Sequence, residues 1–231
     1  MLRIILGLAS FVLPVLLFAV AGVMVYPAYL FYNWLYALGG PAIAVMGLPL
    51  AYLIWGFSFC AFTILFKYIT FHKTKEGSYS YASLEVARWA IMTRLVEFSN
   101  AILMMHLRST PFIVIWFRLL GAKIGKDCYI NTYELTDWDL LTIEDETMLG
   151  AGVVMQAHSA EAGKLHFRPV RIGKKCSVGR SSVVLPGVEM GERAILGAMS
   201  IAPKDLKMHA HSIWGGVPAK HIKDFKPKSE S

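Results

Sequence analysis

Two different patterns of apolar positions divide this chain. From Ile4 to Phe66 no Asp, Glu, Lys or Arg interrupts the sequence; that is too long for one membrane-spanning helix and suits two of about 20 to 25 residues each. From Ile172 to Ala202 the apolar positions instead recur every sixth residue, at Ile172, Val178, Val184, Met190, Leu196 and Ala202, and Gly173, Gly179, Gly191 and Gly197 each follow one of them directly. A period of six matches neither the 3.6 of a helix nor the 2 of a half-buried strand. It is the spacing of a parallel β-helix, in which one hexapeptide builds each flat face, the recurring aliphatic side chain points inward, and glycine relieves the backbone at the next corner.

The rhythm extends upstream. Ile124 with Gly125 and then Ile130 are six apart, and Ile143, Leu149 with Gly150, and Met155 form a further set in phase. Ile130 and Ile143 lie 13 apart, one more than two periods, so one extra residue is expected near Asp137 to Asp139. Met155 and Ile172 lie 17 apart, and the intervening QAHSAEAGKLHFRPV lacks the aliphatic rhythm. A loop is therefore expected to leave the coil just after His158, and in solenoids such insertions collect on one face, often the binding face. The β-helix domain is assigned to residues 122–222, with a short tail over 223–231.

The two apolar spans are placed at Ile4–Phe31 and Ala42–Phe66, joined by YNWLYALGGP, as a transmembrane helical hairpin over residues 1–67. Tyr32, Trp34 and Tyr36 suit the membrane interface, and membrane helices tolerate the interior Pro14, Pro27 and Pro49. A secretory signal peptide is the rival reading, because Arg3, an apolar run and Ala19-Val20-Ala21 imitate its parts; the apolar character, however, continues to Phe66. Arg3 before the spans and Lys67, His72, Lys73 and Lys75 after them put both ends in the cytoplasm under the positive-inside tendency, so the β-helix domain is expected to face the cytosol. Residues 68–121 read as connecting helices. One covers Ser83 to Leu107, with Ile91, Leu95, Phe98, Ile102 and Met105 on one stripe that is either a packing face or a surface lying on the membrane. A second starts at Ser109-Thr110-Pro111, a hydroxyl cap before a first-turn proline, and stops at Gly121.

Charge sharpens the picture only modestly. Of the 231 residues with formal charge +7, residues 67–231 hold 22 Lys and Arg against 16 Asp and Glu, which suits a domain held against an anionic leaflet. The basic residues are scattered and accompany no nucleic-acid motif, so no nucleic-acid partner is expected. Cys60, Cys128 and Cys176 form no CxxC pair; they read as small buried residues, with a thioester-forming nucleophile as the alternative.

Seven histidines are present without HExxH or another familiar zinc spacing, so no metal ligands and no bound cofactor are expected. His209 and His211 lie near the end, before Trp214-Gly215-Gly216-Val217-Pro218-Ala219. His158 falls where the coil breaks into the loop, a position for a general base, since imidazole is the side chain that titrates near neutral pH; a structural histidine is the alternative. Asp139 precedes it by 19 residues, close to one 18-residue coil plus the extra residue, which would put both on neighbouring rungs. A carboxylate there could hold the imidazole tautomer whose free nitrogen faces a substrate, or it is a surface aspartate in a turn.

Arg118-Leu-Leu-Gly-Ala-Lys-Ile-Gly125, Asp139-Leu-Leu-Thr-Ile-Glu-Asp145, Met155-Gln-Ala-His158, Val170-Arg-Ile-Gly173 and Trp214-Gly-Gly-Val-Pro-Ala219 together resemble the hexapeptide-repeat acyltransferase superfamily. More narrowly, they resemble the membrane-bound repeat domains at the C-terminal end of non-ribosomal peptide synthetases of the ε-poly-lysine synthetase type. The resemblance covers about residues 105 to 222 by motif and the rest by layout. It implies a left-handed β-helix, a homotrimer with active sites between neighbouring coils, and an acyl-CoA or carrier-protein thioester as co-substrate. It also implies a histidine that deprotonates an amine or hydroxyl acceptor, a role that falls to His158 with Asp139 beside it. Lys174, Lys175 and Arg180 at coil corners are candidates for the phosphates of coenzyme A, with solvated surface charges as the alternative. Trp214 and Gly215 are placed with them as substrate- or donor-binding residues. Two features depart from the synthetases: they carry three repeat domains where this chain has one, and this chain has no adenylation or carrier domain. The expected function is a membrane-anchored acyltransferase acting on a small-molecule or lipid-linked acceptor. A non-catalytic β-helix assembly protein at the membrane is the alternative, and a metal-dependent, carbonic-anhydrase-like coil would need three converging histidines.

Overall fold

The computed structural model describes residues 14–70 and 73–225. It divides into two compact units, one drawn from Met1–Phe71 and Ala90–Leu103, the other from His72–Trp89 and Met104–Ser231.

The first unit is helical. After a helical stretch over residues 14–23 come α1 (Tyr26–Met46) and α2 (Leu48–Thr70), and the later part of α3 (Leu84–Ile102) completes it. The expected connection over residues 32–41 is shorter than the sequence suggested: the chain stays helical to Leu38 and reverses at Gly39 and Gly40, where Gly40 adopts φ 72° and Pro41 follows. Only glycine takes that φ at little steric cost, so Tyr32, Trp34 and Tyr36 remain on helix. The reversal lays the helices antiparallel, with the Leu35 side chain filling the space where a Cβ on Gly47 would stand and the Trp55 indole donating to the Ala21 carbonyl at 3.0 Å. Pro14–Met46 and Leu48–Thr70 are long and apolar enough to cross a membrane; residues 4–13 of the first expected span lie outside the described residues.

Within this unit the α3 stripe is a packing face. Leu95 and Ile102 are buried, and Phe98 packs on Phe59 at 5.2 Å between ring centroids. The two buried hydroxyls on facing helices satisfy each other, Thr63 to Ser99 at 2.9 Å. Each also lies within bonding distance of the carbonyl four residues back on its own helix, Phe59 and Leu95, so while one hydroxyl donates to the other, the second donates to its helix carbonyl, and neither polar group is left bare in an apolar setting.

The second unit is a three-sided parallel coil. Ser177 pairs with Ile195, Val183 with Ile201 and Glu189 with Lys207, each 18 residues on, three hexapeptides per turn. Lower down, Lys123 pairs with Thr142 and Tyr129 with Met148, 19 residues on. The extra residue is absorbed by a 3-10 turn at Trp138–Leu140, entered through Asp137 at φ 57°. Across the loop the pairing jumps by 29 residues, as in Met148 with Ser177. All the expected inward residues from Ile124 to Ala202 are buried, and the series continues one step further to Met208.

The glycines of the repeat act differently from the expectation. Except after Ile130 and Met155, the left-handed corner lies three residues after the inward position and is occupied mostly by ordinary residues, among them Lys175, Ser181, Arg193 and Met199 with φ of 55–57°. Glycine directly after the inward residue is required instead by the neighbouring rung: a Cβ on Gly179 would stand 2.3 Å from the Ala198 amide nitrogen. Rung spacing rather than turning excludes a side chain there.

The segment after Met155 leaves the coil as an antiparallel hairpin, His158–Glu161 with Lys164–Phe167, and Gly77–Ser80 adds a third strand beside Lys164–Phe167. Buried Val86, Leu165 and Phe167, with Tyr79, Trp89 and Leu140 against them, form a small core under this sheet. Helix α4 (Pro111–Leu119) starts on Thr110 as expected, but that hydroxyl donates to the Leu107 carbonyl at 2.6 Å rather than capping the helix. The last parallel strand, Ser212–Gly215, is covered on its open side by antiparallel Lys220–Asp224, which protects the sheet edge. Of the expected tail, residues 226–231 lie outside the described residues.

Candidate active site

His158 is the first residue of the excursion strand, three positions after inward-facing Met155 and next to fully buried Ala157. The coil therefore holds its backbone rigidly on one side. Its Nδ1 lies 2.7 Å from Oδ2 of Asp137, and the side chains are 20% and 0% exposed respectively. The same carboxylate oxygen accepts from the Ala157 amide at 2.8 Å and from the Thr136 hydroxyl at 3.2 Å, while Oδ1 accepts from the Trp89 indole N–H at 2.7 Å. A fully buried carboxylate costs several kcal/mol in lost hydration unless it is well bonded. Four donors supply that here.

This arrangement selects a tautomer. An ionised carboxylate can only accept, so the neutral imidazole carries its proton on Nδ1, and Nε2 keeps its lone pair. Trp89 fixes the ring as well as the carboxylate: its indole meets the imidazole edge-on with centroids 4.8 Å apart, and Phe167 stands 6.2 Å away. A partly exposed imidazole oriented by a buried aspartate can serve as a general base.

The hydrogen-bonded partner of His158 is thus Asp137 and not Asp139. Asp139 Oδ2 instead accepts from the Thr74 backbone amide at 3.1 Å. Counting one coil plus one residue back from His158 fails here because Leu135 pairs with Met155, 20 residues on, and the bonded aspartate lies one residue further back still, 21 before His158. Trp89 was missed altogether, since nothing local in the sequence ties a residue of the connecting helix to the coil. Lys174 and Lys175 stand at one corner near carboxylates of the rung below, with Nζ 3.7 Å from Asp145 and 3.6 Å from Glu146; Arg180 is exposed. Trp214 and Gly215 lie at the far end of the coil, in the strand that pairs with Lys220–Asp224. Burial pushes the Cys176 thiol up to about 11, and it donates to the Gly191 carbonyl. Such a thiol is neutral and inert at physiological pH. Desolvation also raises the Cys128 thiol.

Comparison with known proteins agrees with this architecture. The family model for the hexapeptide repeat of succinyl-transferase matches residues 169–198. Delta-poly-L-ornithine synthetase of Acinetobacter baumannii is 29% identical over 177 residues, 76% of this chain and 13% of that protein. Galactoside O-acetyltransferase of Escherichia coli is 27% identical over 119 residues, 48% of this chain and 57% of that one. The crystal structure of a maltose O-acetyltransferase from Clostridium difficile superposes with a TM-score of 0.50 at 16% identity, covering 66% of this chain and 94% of that one.

The chain is thus similar to the hexapeptide-repeat acyltransferases, and these likenesses support that family for it. It spans a small part of the ornithine synthetase and about half of the galactoside enzyme. The family match falls on the regular rungs after the excursion, while His158 and Asp137 lie before it. The hexapeptide repeat thus accounts for the scaffold, and the His158 site is built where the scaffold departs from regularity.

Proposed function

We propose that this chain is a membrane-anchored acyltransferase in which His158, held by Asp137, is the general base. The buried carboxylate that orients a partly exposed imidazole carries the reading. The donor is an acyl-CoA or carrier-bound thioester. As the acceptor nitrogen or oxygen attacks the thioester carbonyl, Nε2 of His158 takes the proton from the acceptor, and the Asp137 carboxylate stabilises the resulting imidazolium. A new C–N or C–O bond forms. Collapse of the tetrahedral intermediate breaks the C–S bond, and the imidazolium returns the proton to the departing thiolate. The products are the amide or ester and the free thiol, and His158 ends as it began.

The superfamily implies a left-handed coil and a homotrimer, in which a second subunit would complete the donor channel. Lys174, Lys175 and Arg180, with Trp214 and Gly215, are the candidate contacts to the donor; the two lysines would have to release Asp145 and Glu146 to meet phosphate. Asp137 takes the positioning role first given to Asp139. The α1 and α2 helices are the proposed membrane anchor, with the coil on the cytosolic side and the acceptor small or lipid-linked. A pure assembly role accounts for the coil but gives no use to an imidazole held in one tautomer with its second nitrogen free.

The test is thioester turnover by detergent-purified protein with acyl-CoA donors and pooled amine and hydroxyl acceptors, wild type beside His158→Ala. Acceptor-dependent thiol release that disappears in a folded variant is expected. Equal release by both would overturn the role of His158.

A further inference from the structure

At the end of the coil opposite in sequence to the excursion, three side chains converge that the acyl-transfer reading does not use. His209 follows the last strand of one face, Lys207–Met208, while His221 and Asp224 belong to the final strand, Lys220–Asp224. Nε2 of His209 and Nε2 of His221 lie 2.6 Å and 2.7 Å from the same Asp224 oxygen, and the three ligand atoms fall within 4.8 Å of one another.

This convergence is not what a regular strand would produce. Residues three apart alternate to opposite faces, so His221 and Asp224 should point apart. A register shift prevents it: Trp214 pairs with His221 and Ile213 with Lys223, which leaves Ile222 as an extra residue between them. A bulge of this kind re-aims side chains. His221 and Asp224 thereby stand opposite Trp214 and Ser212, two residues of one face. The Trp214 ring, anchored by its N–H to Ser212 Oγ at 2.8 Å, packs edge-on against both imidazoles, 6.1 Å from His209 and 5.4 Å from His221.

We propose that His209, His221 and Asp224 bind one divalent transition-metal ion of the zinc class. Two imidazole nitrogens and one carboxylate oxygen are ligands suited to it. Bonds of about 2.0–2.2 Å put ligand atoms roughly 3–3.5 Å apart, so each imidazole nitrogen moves less than about an ångström from the Asp224 oxygen, and rotation of these exposed side chains brings all three, now within 4.8 Å of one another, to that spacing. The ion would fasten the terminal antiparallel strand to the preceding face of the coil, with its remaining coordination open to water. The spacing of these ligands along the chain gives no motif, because one of them comes from another rung and the other two depend on the bulge.

The experiment uses the full chain in detergent, purified without a histidine tag, stripped with chelator and dialysed against Zn²⁺, with bound metal measured by mass spectrometry. Wild type and His158→Ala are expected to retain one ion per chain, and His221→Ala and Asp224→Asn to lose it. Deletion of Ile222 removes the bulge but leaves His221 and Asp224 two positions apart, on one face of a regular strand opposite Trp214 and Ser212, so this variant should retain the ion. Zn²⁺ should raise the melting temperature of wild type and leave that of Asp224→Asn unmoved, as expected for a ligand that binds only the folded state. Zinc content that is the same in wild type, His221→Ala and Asp224→Asn, or no retention by folded wild type, overturns the proposal. None of these readouts depends on acyl transfer.

Discussion

Asp137→Asn gives the sharpest test of the site. The amide matches the carboxylate in size but offers one acceptor oxygen where two served four donors: His158 Nδ1, the Ala157 amide and the Thr136 hydroxyl on one side, the Trp89 indole on the other. With its oxygen toward His158, the new NH₂ faces the Trp89 N–H, donor against donor. With its oxygen toward Trp89, the NH₂ faces the Ala157 amide and turns His158 to the tautomer with the proton on Nε2, which cannot accept one from substrate. An unsatisfied buried donor costs about 1–3 kcal/mol, and the loss of charge-assisted bonding adds to it, so destabilisation of about 2–4 kcal/mol is expected. Turnover should fall by a factor on the order of 10²–10⁴, by analogy with the triad aspartate, whose replacement by Asn leaves the geometry but changes the tautomer. Single-turnover thiol release across a pH series, on protein shown to be folded by circular dichroism, measures this. Asp139→Asn, which weakens the bond to the Thr74 amide and leaves the Asp137–His158 pair in place, is the control and should retain most activity. Turnover by Asp137→Asn within about threefold of wild type, beside an equal or larger loss in Asp139→Asn, would refute the assignment.

The repeat itself can be tested through its glycines. Gly179→Ala places a Cβ 2.3 Å from the Ala198 amide nitrogen, and because backbone cannot swing aside, a loss of several kcal/mol is expected, as for other overpacked sites. Met199→Gly, at a left-handed corner with φ 55°, should be nearly neutral, since relieved strain and added chain entropy are both about 1 kcal/mol; denaturant titration of the two variants separates rung spacing from corner geometry. The Cys176 thiol, pushed up to about 11 by burial, should resist alkylation at pH 8 in the folded chain and react once the chain is unfolded. Well below the ordinary thiol value of 9.0 the group is neutral in both states and adds little pH dependence. As the pH rises from there toward 11 the unfolded chain releases its proton first, so stability should fall across that window, and Cys176→Ser should lessen the slope.

The local sequence was enough to determine the coil, because each inward position of a β-helix recurs at a fixed spacing and must be apolar; Ile172 to Ala202 therefore declares both the fold and the register. The same rule exposed the two interruptions, the extra residue near Asp137 and the excursion after His158, as breaks in an otherwise strict count. The uncharged run to Phe66 likewise declared two long apolar helices, and Gly39–Gly40 located their reversal once backbone conformation was known. What the tertiary structure decided lies where those counts fail. A 3-10 turn absorbs the extra residue, and the partner of His158 is Asp137 rather than Asp139. A helix distant in sequence delivers Trp89 to the same carboxylate. A bulge at Ile222 turns His221 and Asp224 to one face beside His209. In each case side chains meet through a local departure from periodicity or through contacts between segments far apart in the chain, and a periodic pattern holds no record of either.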